Sequence, residues 1–572
     1  MALDDEIACD VLVVGSGAAG LSAAVACARK GLDVLLIEKE AVVGGTSALS
    51  GGWLWVPGNA HAARAGISDT LDAARAYLRH EMGNRYDAAR VDAFLDNGAA
   101  AVAFFEAEAG LKFTLGVDYP DYHSNAPGGA SGGRALCPEP FDGLQLGAWL
   151  KVMRPPPPEL TLFGIKVGSG PDFRHFANAQ RSLHSAMYVA GRIVAHARDL
   201  LLHGRDVRLM SGAALVARLL KAAVDAGVRI WLSCPLLELV QAGSDVGGAI
   251  VSHERKQMRV TARRGVVLAA GGFSHDRERR RVLLGAAAGG EIATLSSPGN
   301  TGDGLTAAEQ VGGVVDASLA NPAAWMPLSR VTRRDGAVAF YPHNFDRGKP
   351  GVFAVKADGR RFANESGSYH DLVEAMIAAR RGSEEVCAYL ICDGITIRRY
   401  GLGIAKPFPV PLWPYLQRGY LHRGQTIEEL ARHSGIDPKG LAATVAEINA
   451  HAPSGRDPQF GRGSSAYDAY TGDRHNKPNP SLAPVAHPPF YSVKIYPGDL
   501  NTFDGLKTDA TARVLDSSGR PIGGLYAVGA DMASVFGGHY PGPGINLGPA
   551  ITFAYLAAND LAQRTEAGRE VR

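Results

Sequence analysis

Residues 11–14 (Val-Leu-Val-Val) form an unbroken apolar run rich in β-branched side chains, the pattern of a parallel strand covered on both faces. Alanine-rich residues 21–30 read as a helix that Gly31 ends. Residues 34–37 (Val-Leu-Leu-Ile) are a second buried strand that stops at Glu38. The order is that of a βαβ unit. Further on, 72–81, 88–110, 185–202 and 213–226 read as helices, and 249–252, 259–262 and 266–269 as strands. Residues 113–180 are irregular, with paired glycines at 128–129 and 132–133 and four prolines at 155–158. From about 320 to 485 the composition shifts toward Pro, Arg, His and Asn, which predicts a second domain. Within it, Asp358-Gly359 between 352–355 and 361–362 is a hairpin signal, and 452–485 reads as loop. Residues 524–529 restore the buried-strand pattern, and 548–561 close as an apolar helix.

Composition narrows this picture by exclusion. The chain has 572 residues, room for about two to four domains. It is 46% hydrophobic and 20% charged, so it builds ordinary cores. Lys and Arg total 59 against 57 Asp and Glu, a net +2, so no nucleic-acid partner is expected. The 70 glycines follow no Gly-X-Y period and belong to turns and close approaches. Cysteines 9, 27, 137, 234, 387 and 392 form no CxxC or metal-type cluster, which predicts reduced thiols and no metal site. The opening Met-Ala-Leu-Asp-Asp-Glu lacks a basic, apolar leader pattern. Three runs lack Asp, Glu, Lys and Arg (11–28, 41–63 and 532–559), but several glycines interrupt each, so no transmembrane helix is expected. A cytoplasmic protein is the default expectation.

The first strand is followed at once by Gly15-Ser16-Gly17-Ala18-Ala19-Gly20. A lone GxGxxG says little. Here it joins a strand to a helix, with Glu38 18 residues beyond Gly20 at the tip of the second strand. Gly15 permits the tight turn, Gly17 lets backbone amides reach a pyrophosphate at the helix N-terminus, and Gly20 allows close helix–strand packing. Glu38 can accept ribose hydroxyls and would repel a 2′-phosphate. The segment 44–52 (Gly-Gly-Thr-Ser-Ala-Leu-Ser-Gly-Gly) flanks small hydroxyl residues with glycine pairs, which suits backbone packed against a flat ring. Residues 524–529 with Asp531 form a second strand-to-loop element for a ribityl chain, and 266–272 (Val-Val-Leu-Ala-Ala-Gly-Gly) a third. A two-ended site of this kind points to FAD. No His lies in 44–52 and no second GxGxxG unit is visible, so the FAD is expected to be non-covalent, without a nicotinamide domain. The cofactor set is residues 15–20, Glu38, Lys39, Gly45, Thr46, Ser47, Gly51, Gly52, Ala270, Gly271, Asp303, Gly529, Asp531, Asn546 and Leu547. The predicted fold class is α/β: a discontinuous Rossmann-like FAD-binding domain (1–319 and 486–572) with an inserted α+β catalytic domain (320–485).

Together with Tyr119-Pro-Asp-Tyr122, Asn300-Thr-Gly-Asp303, Asn364-Glu-Ser-Gly-Ser-Tyr369 and Gly538-His-Tyr-Pro-Gly-Pro-Gly-Ile-Asn-Leu-Gly548, these segments resemble the fumarate reductase/3-ketosteroid dehydrogenase superfamily. The resemblance is nearest to the 3-ketosteroid Δ1-dehydrogenases and runs from the N-terminus to about 565. It implies that Tyr540 and Gly544 hold the 3-keto oxygen, that Tyr369 is the base and that Tyr122 supports it. It also implies a small hydrophobic ketone, a steroid, as substrate, and an external quinone-like electron acceptor. The chemistry agrees. Desaturation beside a ketone removes a proton from the α carbon and a hydride, to flavin N5, from the β carbon. A phenol and a backbone amide make an oxyanion hole of about 3 kcal/mol per donor. A tyrosine base, with an ordinary pKa of about 10, needs a donor to stabilise its phenolate.

Tyr119 reads as packing, Tyr400 as structural, and His539 as a neighbour of the site. His184, Arg192, His196 and Arg198 read as a solvated helix face. Residues 138–200 are longer than in compact members of the family. They could reshape the substrate mouth, mediate subunit contact, or touch a membrane peripherally where sterols partition. Competing readings are a Δ4-desaturase or dehydrogenase of another cyclic ketone, a fumarate-reductase-type ene-reductase using Arg347, Arg360 and Arg361, and a non-enzymatic flavin carrier.

Overall fold

The computed structural model describes residues 5–284, 293–380 and 385–564. The N-terminal Met1–Asp4 and the end of the chain beyond 564, including the last part of the 486–572 segment, lie outside the described residues.

The strand Asp5–Val14 pairs in parallel with Val34–Ile37 on one side and Lys256–Leu268 on the other. Arg229–Trp231 extends the sheet beyond Val34–Ile37, and Pro521–Ala527 joins at the far side of Lys256–Leu268. All five run parallel, so both faces need cover. The helix Ala18–Arg29 packs against Leu547–Gln563 and against Ser211–Asp225. Gly15 adopts φ +107°, and a Cβ on Gly20 would lie 1.9 Å from the Gly15 carbonyl oxygen, so the turn and the helix close up only with glycine at both positions. The two strands expected at 259–262 and 266–269 are one continuous strand, Lys256–Leu268, whose first half pairs antiparallel with Asp245–His253.

The second sheet is centred on the strand Phe490–Thr502, which pairs antiparallel with Ala323–Thr332, Ala388–Cys392 and His422–Gly424 and parallel with Ala293–Thr294. This moves the expected boundaries. The chain enters the second sheet by 293, before 320, and returns to the first only after 502, not at 486. Strand Phe490–Thr502 is mostly buried although it carries Ser492, Lys494, Pro497 and Asp499, so no unbroken apolar run marks it in the sequence. The Asp358-Gly359 turn forms, with Lys356 N–H donating to the Arg360 carbonyl at 3.1 Å, but 361–362 are not a strand. Their side chains serve the interior instead: Arg361 pairs with Glu365 and Asp457.

The long insertion at 138–200 carries most of the helix Leu183–His203, which corrects the expected solvated face in part: His184 and Arg198 are exposed as expected, Arg192 and His196 are not. Arg192 is buried and pairs with Asp172 at 2.5 Å, and His196 lies 3.3 Å from Asp206. Ser185, Arg192 and Asp199, seven residues apart, point inward, while Leu183, Met187, Val194 and Leu201 are exposed. All six cysteines are free, and all but Cys387 are buried. Among the described residues no helix is long and apolar enough to cross a membrane, and no group of His, Cys, Asp or Glu could hold a metal ion.

Candidate active site

Three tyrosines from distant parts of the chain meet at one place. Tyr122 comes from the loop after Tyr119-Pro-Asp121, Tyr369 opens the helix Tyr369–Ala378, and Tyr540 lies in the turn before Leu547–Gln563. Tyr122 Oη donates to Tyr369 Oη at 3.0 Å. The rings of Tyr122 and Tyr540 stack at 5.4 Å between centroids, and Tyr369 meets Tyr540 edge-on at 5.1 Å. Burial lifts the Tyr369 phenol well above 10, helped by the neighbouring phenols Tyr540 and Tyr119, and the bond from Tyr122 acts in the opposite sense. Burial pushes Tyr540 up to about 12, so this phenol is a donor at neutral pH.

The local fold explains the meeting. Ser368 caps the helix of Tyr369, its Oγ accepting the His370 N–H at 3.1 Å. The Pro541 carbonyl accepts both the Tyr122 N–H at 2.9 Å and the Tyr77 hydroxyl at 2.6 Å, which ties Tyr122 to the Tyr540 turn. Gly544 has φ +98°, and a Cβ there would lie 2.5 Å from the Trp53 carbonyl. Its carbonyl accepts the N–H groups of Trp55 and Gly548, whereas its own N–H has no acceptor among the described residues. Gly544, four residues after Tyr540, thus presents a free amide.

The residues expected to hold the cofactor collect at the carboxyl ends of the parallel strands. Glu38, at the end of Val34–Ile37, accepts from the Ser16 N–H (3.0 Å), the Ser16 hydroxyl (2.6 Å) and the Glu40 N–H (2.9 Å). A carboxylate has about four lone-pair sites, so capacity for ribose hydroxyls remains. No side chain caps the helix Ala18–Arg29 at Gly17. A Cβ on Gly17 would meet only Ser47 Oγ at 3.5 Å, and one on Gly45 only the Gly17 Cα at 3.8 Å. Ser47 Oγ accepts the Ala18 N–H at 3.0 Å, and beside it Gly17 and Gly45 leave the helix N-terminus clear of side chains, as a pyrophosphate cradle requires. Asn546 starts Leu547–Gln563, a second helix without a side-chain cap. The residues present therefore fit FAD, and 15–20, Glu38, Gly45, Ser47 and the Asn546–Leu547 helix start are those that would hold it.

Other members of the expected set also have protein partners. Lys39 Nζ bonds Asp303 at 2.7 Å, closing the loop 300–303 over the cradle. Asp531 accepts the N–H groups of Ala270 (2.7 Å) and Gly272 (2.8 Å), with burial pushing its carboxyl up to about 6. It joins loops 269–272 and 529–531 and so places Gly271 and Gly529 beside each other's loops. Thr46 Oγ1 accepts the Ser297 N–H and the Asn300 amide. Gly52 faces Ser211-Gly212, 2.5 Å from where its Cβ would stand, while Gly51 lies against Ser169. These two glycines pack against the insertion side of the domain.

Sequence reasoning missed several residues of the site. Tyr467 lies tilted against Tyr122 at 4.6 Å, and Tyr470 stacks on Tyr119 at 4.4 Å. Both come from the segment read as loop, where the short helix Ala466–Thr471 carries them. Asp121 accepts from Trp55 and pairs with Arg134, a buried network behind the cluster. Tyr119 packs as expected, between Trp53 and Tyr470. Tyr400 donates to Asp473 away from the site. The cations of the ene-reductase reading are engaged: Arg361 by two carboxylates, Arg347 by the carbonyls of His343, Glu365 and Gly367, and Arg360 lies exposed in its turn.

A dinucleotide cradle joined to a buried phenol cluster with a free amide defines an FAD-dependent oxidoreductase. The chain belongs to the family described as FAD binding domain, whose model matches residues 10–547. It is 42% identical to the 4-oxocyclohex-2-ene-1-carboxylate 5-dehydrogenase of Sinomonas cyclohexanicum, over 98% of this chain and 95% of that protein. It is 36% identical to the 3-oxosteroid 1-dehydrogenase of Mycobacterium tuberculosis, over 97% of this chain and 98% of that protein. Among solved structures it is similar to 3-ketosteroid delta1-dehydrogenase from Sterolibacterium denitrificans in complex with 1,4-androstadiene-3,17-dione, at 35% identity and a TM-score of 0.90, covering 97% of this chain and 99% of that one. The protein is thus an oxidoreductase of the 3-ketosteroid 1-dehydrogenase type or a related cyclic-ketone dehydrogenase.

Proposed function

We propose that this enzyme introduces a C1–C2 double bond into a 3-ketosteroid. The observation that carries the reading is the Tyr122–Tyr369–Tyr540 cluster, with the free Gly544 amide four residues after Tyr540. Tyr540 and the Gly544 N–H polarise the ketone, each worth about 3 kcal/mol as charge develops on oxygen. Tyr369 takes the α proton, and Tyr122 donates to the resulting phenolate. FAD, bound non-covalently, supplies the acceptor for the hydride from the β carbon. An external quinone-like acceptor then takes the two electrons. An aromatic row supports an extended apolar substrate: Trp53, Tyr119, Tyr470, Phe345 and Phe173 follow one another at 4.4–6.2 Å from the cluster to the insertion.

A second reading, oxidation of a 4-oxocyclohexane- or cyclohexenecarboxylate, is favoured by one observation besides the Sinomonas relative. Arg347 is fully buried, its Nη2 has no partner, and its guanidinium lies 6.0 Å from the Tyr369 ring centroid. A desolvated carboxylate requires such a cation. Anaerobic mixing with androst-4-ene-3,17-dione and with 4-oxocyclohexanecarboxylate decides between them. Flavin bleaching by the dione alone supports the steroid reading, and bleaching by the carboxylate alone overturns it.

The steroid reading also accounts for the insertion, as a peripheral contact with an anionic membrane from the cytoplasmic side. Within 143–208, Lys151, Arg174, Arg181, Arg198 and Arg208 are exposed and no carboxylate is. Arg174, Arg181 and Arg198 are paired with Asp118, Asp473 and Asp199, so the contact rests mainly on the exposed apolar residues Leu183, Met187, Val194 and Leu201, with Lys151 and Arg208 as the cations left for acidic headgroups. Vesicles containing phosphatidylglycerol should co-sediment the protein, and Val194→Glu with Leu201→Glu should abolish this. A salt-insensitive failure to bind, or a dimer lost in the same variant, refutes the membrane contact.

A further inference from the structure

Tyr122 and Tyr369 belong to different halves of the molecule, and the bond between them is only as good as the fit of those halves. Tyr122 is anchored to the Tyr540 turn through the Pro541 carbonyl. Tyr369 rides on the helix Tyr369–Ala378, which packs on the second sheet through Ala323–Thr332. The residue after Tyr122 spans the seam. His123 Nε2 bonds Asp371 Oδ2 at 2.6 Å, two residues beyond Tyr369, and its Nδ1 bonds Glu81 Oε2 on the helix Leu71–Met82. Its own N–H donates to Tyr77 Oη at 3.3 Å, the hydroxyl that also bonds Pro541.

Both ring nitrogens face carboxylates, so both must donate, and the ring is an imidazolium. Burial opposes that charge, but the bonds to Asp371 and Glu81 outweigh it and push the pKa up to about 11. The other groups around it are His370, Glu374, His539 and Arg85. Burial pushes His370 down to about 3 and lowers His539, so both are neutral. Glu374 accepts from the Asn321 amide at 2.6 Å, and burial raises its carboxyl. Arg85 acts on His539 and bonds neither Glu81 nor Asp371, so without His123 the two carboxylates would face each other across the seam with no cation bonded to both.

We propose that His123 is a positioning residue: a permanently charged clasp that fixes the spacing of the Tyr122–Tyr369 hydrogen bond across the two halves. The proposal rests on the reading of Tyr369 as base. A misplacement of about 1 Å costs about a hundredfold in rate, and a donor 3.0 Å from a phenolate has little slack.

The test compares His123→Gln, His123→Arg and Asp371→Asn with Tyr369→Phe, all scaled to bound flavin. For His123→Gln the expected result is a kcat lowered about ten- to hundredfold with KM within about twofold, because ground-state binding is untouched. The alkaline rise of its pH–rate profile should move to higher pH. His123→Arg, long enough to reach both carboxylates, should recover most of the rate. A merely structural role would lower flavin content and thermal stability and leave the kcat per flavin and the pH profile in place; that result overturns the proposal. If His123→Gln does not fold, Asp371→Asn carries the test with the same expected profile. Loss of activity in Tyr369→Phe with unaltered His123 variants defeats the clasp alone, whereas an active Tyr369→Phe defeats the base reading beneath it.

Discussion

Removing one hydroxyl, in Tyr122→Phe, tests the proton-transfer half of the reaction. The ring stays, held between Tyr540 at 5.4 Å and Tyr467 at 4.6 Å, so the packing survives. What is lost is the donor 3.0 Å from Tyr369 Oη. A hydrogen bond to a charged group is worth about 1.5–3 kcal/mol. At 1.36 kcal/mol per pKa unit, its loss raises the pKa of the base by about one to two units. The base acts as a phenolate whose pKa burial has already lifted above 10, so wild-type turnover should climb with pH through the alkaline range. In the variant that climb should begin about one to two units higher, and at a fixed pH on the slope the rate should be about ten- to hundredfold lower. Anaerobic stopped-flow bleaching of the flavin by androst-4-ene-3,17-dione reads the half-reaction directly. A profile that stays in place, with a rate close to wild type, would refute Tyr122 as the donor and leave the phenolate without its support.

Three further outcomes are expected. Tyr540→Phe should lower turnover about a hundredfold or more while flavin content is retained, since an oxyanion donor is worth about 2.7–4 kcal/mol; steady-state kinetics per bound flavin checks it. Glu38→Ala should lose FAD on gel filtration far more readily than it loses its melting temperature if, as proposed, the carboxylate takes the ribose hydroxyls; unchanged flavin content counts against that role. Acid precipitation should release all the yellow colour into the supernatant, and flavin held in the pellet would contradict non-covalent binding.

The first sheet was legible because its strands announce themselves. A run such as Val-Leu-Val-Val, closed by Gly15 and answered by Glu38, has few other physical explanations. The second sheet was harder. Phe490–Thr502 is mostly buried although it carries Ser492, Lys494, Pro497 and Asp499, and only its partners reveal that it is antiparallel and belongs to the inserted half. The helix Leu183–His203 inverted the usual inference that charged residues face water, since Arg192 and Asp199 are buried there. At the site, Tyr122, Tyr369 and Tyr540 were identified through short motifs, and the structure gathers them. Tyr467, Tyr470 and His123 carry no motif and no periodicity. They matter because loops far apart in sequence bring them to one seam, and pairwise spacing in sequence holds no record of that.

The strand Pro521–Ala527 enters its sheet beside Lys256–Leu268, more than 250 residues earlier in the chain. The Tyr540 turn and the helix Leu547–Gln563 follow it. A ribosome that has made the first sheet's other strands and the whole inserted half has therefore produced neither the last wall of the nucleotide cradle nor the ketone grip. Such nascent chains hold an unfinished parallel edge and an uncovered helix, Ala18–Arg29, for most of synthesis. Flavin capture is thereby postponed to the final stretch of translation, and a chain cut short there should emerge colourless and exposed to chaperones and proteases.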